Sequence, residues 1–196
     1  MRLALPVASL LLPVLLGAQT PAPRARPLEA FAAERVAVTP VQFWRADSIG
    51  WSVAAVGDAQ RAAVDSAIAR VFAERGMGNR WAFAADVVRS ARRNPTIRSD
   101  PSSLGAGRWR GAPPAAGEAV PPLVADNLRI VSALGDTRYA LIPIELRGEG
   151  DFAVLRLVLV DTRMRVAVWT ADLLTDASRD VAAGLAASLA DLVVDP

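Results

Sequence analysis

Between Arg138 and Asp172 three consecutive apolar-rich segments, YALIPIEL (139–146), FAVLRLVLVD (152–161) and VAVWTAD (166–172), read as β-strands. The connections RGEGD (147–151) and TRMR (162–165) are short enough for hairpins, so the pattern predicts an antiparallel three-strand meander. In the middle segment Ala153, Leu155, Leu157 and Leu159 fall on one face. Phe152, Val154, Val158 and Val160 fall on the other, interrupted only by Arg156. Two apolar faces imply a central strand covered on both sides.

Upstream, Arg35–Gln42 reads as a first strand, with Pro40 marking an edge or a strand end because it lacks a ladder donor. A helix is predicted from an Asp58 cap to about Arg75, stopped by Gly76 and Gly78. Its buried stripe is Val64, Ile68, Val71 and Phe72, and the pairs Arg61–Asp65 and Arg70–Glu74 lie opposite. A short strand at 79–84, a helix at 86–93 with Arg89, Arg92 and Arg93 facing out, and a helix at 123–134 follow. A last helix runs from about Ser178 to Val194, with Val181, Leu185, Leu189, Leu192 and Val193 on its apolar side. These elements define an α/β (α+β) domain: a mixed sheet of about five strands, ending in the meander, with about four packed helices.

Residues 1–34 stand apart. The apolar run LALPVASLLLPVLL (3–16) after Met1–Arg2 has the length of a signal-peptide core, and about 20 apolar residues are needed to span a bilayer. Cleavage is expected after Ala18, giving a signal peptide at 1–18, a Pro/Ala-rich linker at 19–34 and one domain at 35–196. Ala18 stands where a lipoprotein would carry its acylated cysteine, so lipid anchoring is not expected. The predicted location is the periplasm or another exported compartment.

With 53% apolar residues the chain is not a disordered one. The 22 basic residues are all arginine, as GC-rich coding produces, and 20 acidic residues nearly cancel them, so no nucleic-acid footprint is read. Cysteine and histidine are absent, which removes Cys/His zinc sites, thiol catalysis, disulfides and Ser-His-Asp triads. No catalytic residue, metal site or cofactor is assigned.

Two loops remain as binding candidates. One is the aromatic stretch 43–56 with Trp44 and Trp51. The other is a Gly/Pro/Ser-rich, flexible insertion at about 96–122, in which Trp109, between Arg108 and Arg110, is expected to be the most exposed aromatic residue. The run GAGRWRG (105–111) has neither the glycine spacing nor the flanking strand and helix of a dinucleotide site.

Three phrases carry a resemblance: RVAVTPV (35–41), LGDTRYALIPI (134–144) and LRLVLVDTRMRVAVW (155–169). With the order of elements they resemble the TolB N-terminal domain and the curli-secretion-channel (CsgG-like) family of bacterial envelope proteins. The chain departs from them in lacking a glycine in the 161–165 turn and any following β-propeller. The resemblance implies a non-catalytic envelope module, a protein-binding adaptor or assembly factor with envelope-protein partners. The alternatives are a ring- or filament-forming subunit and a carboxylate-dependent hydrolase drawing on Glu145, Glu149, Asp151, Asp161 and Asp172.

Overall fold

The computed structural model describes residues 25–45, 54–97 and 99–194; the expected signal peptide, the first part of the linker and Trp51 lie outside them. Among the described residues the strands are β1 (Val36–Val38), β2 (Phe43–Arg45), β3 (Trp81–Ala82), β4 (Tyr139–Glu149), β5 (Phe152–Asp161) and β6 (Val166–Asp176). The α-helices are α1 (Ala54–Glu74), α2 (Ala84–Arg93), α3 (Pro122–Gly135) and α4 (Val181–Asp191). Single 3-10 turns form at Glu29–Phe31 and Ala106–Arg110. No helix among the described residues is long and apolar enough to cross a membrane.

The fold is the expected α+β arrangement with a mixed sheet, of six strands rather than about five. The order is β3-β1-β4-β5-β6, with β2 also pairing with β4. The meander is antiparallel, whereas β1 pairs in parallel with both β3 and β4, and β2 pairs in parallel with β4. The added strand is the start of the predicted aromatic loop. Together β1 and β2 follow one side of β4, interrupted at Pro40. Thr39 N–H donates to the Leu141 carbonyl (3.0 Å) and Gln42 N–H to the Pro143 carbonyl (2.9 Å), so the missing proline donor falls in the break. β1 is therefore an interior strand, not an edge.

Each sheet face has its own core. Leu141, Leu155, Leu157 and Leu159 pack beneath α1 and α4, where Val64, Ile68, Phe72, Leu185 and Leu189 are buried. Ile142, Ile144, Val158 and Val160 pack beneath α3 and the insertion, with Val124, Leu128 and Val131 opposite them. The predicted stripe of α1 faces inward, but Asp58 lies within its second turn and pairs with Arg61 instead of capping it. The helix α3 ends in left-handed Asp136 (φ 48°), and Asp180 caps α4 through Ala183 N–H at 3.1 Å.

The insertion departs most from expectation. Leu104, Ala106, Trp109 and Val120 are all buried against the sheet. Gln42, itself buried, ties the segment down: its Nε2 donates to the Pro40 carbonyl (2.7 Å) and the Pro101 carbonyl (2.9 Å), while its Oε1 accepts from Leu104 N–H at 2.9 Å. Residues 117–120 then extend the sheet beside the start of β6, through Gly117 N–H to Ala167 O (2.7 Å), Ala167 N–H to Glu118 O (2.9 Å) and Val120 N–H to Arg165 O (2.8 Å). Four apolar anchors and a satisfied amide make this segment a cover for the second core, not a loose loop.

On the opposite face α4 rides very close to β6. A Cβ added at Gly184 would lie 2.2 Å from Thr175 Oγ1 and 3.1 Å from its Cβ. Gly→Ala inside a helix ordinarily gains about 1 kcal/mol, but overpacking costs about 1–3 kcal/mol. Gly184→Ala is expected to destabilise the fold by about 1–2 kcal/mol in urea denaturation. Adding Thr175→Ala should recover most of that loss. A stabilised single variant would show that α4 and β6 separate freely.

Candidate functional site

The two candidate loops meet at one end of the sheet. In the β2–β4 ladder Phe43 stands opposite Glu145, Trp44 opposite Leu146 and Arg45 opposite Arg147. Alternation therefore sends Trp44 to the α1 face, where it packs against the first core, and places Phe43 and Arg45 on the face that the insertion covers. The Trp44 indole occupies the space beside Gly57, where a Cβ would come within 2.6 Å of the ring. Trp44 thus fastens β2 to α1.

The insertion arrives at the same place. Arg110 carries its guanidinium 5.2 Å from the Phe43 ring centroid and donates from Nε to Glu145 Oε1 at 2.7 Å. Glu145 is 1% exposed, so this pairing compensates a fully buried carboxylate. Trp109, expected to be exposed, is instead 4% exposed and belongs to the second core. Its two arginine neighbours mislead, because a single 3-10 turn points the indole inward while Arg108 and Arg110 stay out.

An ion-paired row crosses the sheet here. Glu145, Arg156 and Asp172 face one another in register on β4, β5 and β6. Arg156 grips Asp172 with two parallel bonds, Nε to Oδ1 at 2.8 Å and Nη2 to Oδ2 at 2.9 Å. Arg147, from the neighbouring row, reaches Asp172 Oδ2 at 2.7 Å and Glu149 Oε1 at 2.7 Å. Arg156 Nη1 also donates to the backbone carbonyls of Trp109 and Arg110, at the end of the 3-10 turn within the insertion. The hydrogen bonds from Arg156 lead the effects that hold Asp172 below the usual carboxylate range, with Arg147 adding to them against the cost of burial. Beyond this row lie Phe152 and Leu174, 49% and 54% exposed, at neighbouring positions on the same face. The site is thus a charged row crossing the sheet, with two exposed apolar side chains beyond it.

Four of the five carboxylates of the hydrolase alternative are ion-paired, Glu145 with Arg110, Glu149 and Asp172 with Arg147, and Asp161 with Arg138, while Asp151 is exposed at the β4–β5 turn. Burial pushes Asp161 up, but the Arg138 hydrogen bonds (3.0 and 2.6 Å) and the N–H groups of Met164 and Arg163 (3.0 Å each) outweigh it and hold the group below its ordinary range. Asp161 and Asp172 are therefore ionised near neutrality and unsuited to donate a proton. Arg108 is exposed beside a hollow of about 400 Å³ bounded by Trp109, Pro113 and Glu118.

One carboxylate titrates unusually. Asp65, expected to pair with Arg61 on the exposed side of α1, instead accepts from Val41 N–H at 3.1 Å at the edge of a cavity of about 540 Å³. Burial pushes its pKa up to about 7, against the opposing pull of the Val41 amide and Arg61. A folded-state pKa above the unfolded value means that the native state holds the proton longer, so stability falls as pH rises from about 4 to about 7, by at most about 1.4 kcal/mol per unit. Asp65→Asn is expected to remove that slope, checked by thermal unfolding across the window; an unchanged slope would assign it elsewhere.

No family model matches the sequence, and none of the curated proteins compared with it is a match. Among solved structures the chain is similar to the LpoB C-terminal domain from Salmonella enterica (12% identity, 73% of this chain and 82% of that one, TM-score 0.42). It is also similar to E. coli LpoB (12%, 90% and 83%, 0.41) and to the PelC dodecamer from Paraburkholderia phytofirmans (10%, 82% and 85%, 0.37). At these values none of them assigns a role to this chain.

Proposed function

We propose that the protein is an exported, non-catalytic module of the cell envelope that docks another envelope protein. The apolar run at 3–16 and the resemblance to envelope domains support the location; Ala18 in place of an acylated cysteine supports a form that is not lipid-anchored. The observation that carries the docking role is the convergence of Phe43–Arg45 and Ala106–Arg110 on the Glu145–Arg156–Asp172 row, rimmed by exposed Phe152 and Leu174. Within this reading Arg108, Arg110 and the rim touch the partner, Trp44 and Trp109 hold the surface in place, and Trp51, outside the described residues, is a further proposed contact.

The test is site-specific photo-crosslinking in cells. A crosslinker at Phe152, Leu174 or Arg108 of the full chain should capture one specific envelope protein, and one at Arg92 on α2 should not. Equal capture from all four positions, or from none, would sink the proposal. The ring- or filament-forming alternative is favoured by one observation. Past Ala167 the outer edge of β6 is bordered by no strand among the described residues. A particle mass that stays monomeric at high protein concentration would remove it.

A further inference from the structure

At the opposite end of the sheet from the docking surface, the β5–β6 turn and the last turns of α3 enclose a polar hollow of about 570 Å³. Arg129, Arg163 and Arg165 line it, and none of the three has an acidic partner among the described residues. The nearby acids are already taken: Asp136 pairs with Arg35, and Asp161 with Arg138. Asp136 also lines the hollow but is paired with Arg35, so three positive charges face the concavity against one paired carboxylate and the partial negative charge of about half a unit at the carboxyl end of α3.

Two further observations point to a ligand. Ser132, 5% exposed and lining the hollow, has an Oγ with no hydrogen-bond partner among the described residues, and so does Thr137 Oγ1 beside it. Buried hydroxyls are ordinarily paired; these two oxygens are sealed just beneath the wall and reach a bound group when their side chains turn toward the hollow. Secondly, Arg165 sits in the left-handed region (φ 57°), where glycine would be favoured. An exposed arginine kept at a strained turn position brings no packing gain to offset that strain, while it does bring a guanidinium to the mouth of the hollow.

The geometry points to an anion-binding site for a phosphoryl group, with Arg129, Arg163 and Arg165 as its cationic donors and Ser132 and Thr137 as its hydroxyl donors. Guanidinium forks match the paired oxygens of a phosphate, and an isolated hydroxyl completes a tetrahedral oxyanion shell. The phosphoryl group belongs either to a small soluble phosphate or to a phospholipid headgroup; the recognising chemistry is shared. The site is independent of the docking surface and stands or falls without it.

The experiment is an amide NMR titration of the mature full chain at constant ionic strength, first with inorganic phosphate and then with vesicles of phosphatidylglycerol or of phosphatidylcholine alone. Saturable shifts at Ser132, Thr137 and Arg163–Arg165 with inorganic phosphate, against none with chloride, support a soluble ligand. Binding to phosphatidylglycerol but not phosphatidylcholine vesicles, abolished in the R129Q/R163Q/R165Q variant, supports a headgroup. Arg163→Gln should weaken either binding about tenfold, the loss of one charge-assisted hydrogen bond. Arg165→Gly should weaken it while raising Tm, a combination that a purely structural arginine would not give. Non-saturating shifts with phosphate together with vesicle binding that the triple variant retains, or no response to any probe, would overturn the site.

Discussion

Asp172→Ala is expected to cost about 3 kcal/mol of stability, because it removes the one carboxylate shared by two nearly buried arginines. The side chains of Arg147 and Arg156 are 7% and 13% exposed, and Asp172 accepts three of their hydrogen bonds between 2.7 and 2.9 Å. Truncation leaves the Arg156 guanidinium without its ion-pair partner and Arg147 held by Glu149 alone. Glu149, whose side chain is 51% exposed, serves as the control, since its loss should cost about 1 kcal/mol or less. Urea denaturation with an unchanged m-value is the measurement. Equal losses at the two positions would mean that the row is a solvated surface feature. The pH dependence has the opposite sense to that of Asp65. With its pKa held low, Asp172 contributes stability above the unfolded value near 4 that is lost as pH falls below it, so the variant should show a shallower acid limb.

Trp109→Ala should be the more damaging change, at about 3–5 kcal/mol, the range for truncating a buried large aromatic residue. Its indole lies among Leu104, Val120, Leu128 and Val158 in the second core, and its carbonyl receives Arg156. Arg108→Ala, one residue away and exposed, should stay within about 0.5 kcal/mol. The pair separates two accounts of one tripeptide. Were Trp109 an exposed contact residue, its loss would leave the melting temperature unchanged and only weaken partner capture. A drop in Tm of the size expected from core truncation, with Arg108→Ala melting normally, follows only if the insertion is a packed layer.

The meander was readable from the sequence because three apolar runs, parted by short polar turns, fit hairpin-linked strands, and the observed β5 has the predicted bounds. Arg156 was visible too, as the one charged residue interrupting a buried face, and it proves to be the centre of the ion-paired row. Its partners were not visible. Glu145 and Asp172 become its neighbours only through register, which the β4 irregularity between Pro143 and Glu145 shifts by a residue. The segment 96–122 misled because its Gly, Pro and Ser content describes a chain without repeating structure, which is true, and was equated with a chain without packing, which is not. Gln42 is the residue whose importance had no local signal: a lone amide between two apolar strands satisfies groups 59 and 62 positions away. The β6 strand runs on to Asp176 because Leu173 still buries its side chain past the polar pair at 170 and 172. Trp44, read as a loop aromatic residue, owes its anchoring role to the parallel β2–β4 ladder, a pairing without any short-range signature.

The placement of β1 also governs how the molecule is made. Its central ladder joins Val36 to Tyr139, about a hundred residues later in the chain, and β2 likewise finds its partner only in β4. A growing polypeptide that has not yet reached Tyr139 can offer β1 no strand but the two-residue β3, and offers β2 no strand partner among the described residues. The sheet around the amino-terminal strands is therefore completed only when the final third emerges, which makes loss of the carboxyl-terminal hairpins more disabling than loss of an equal length at the start.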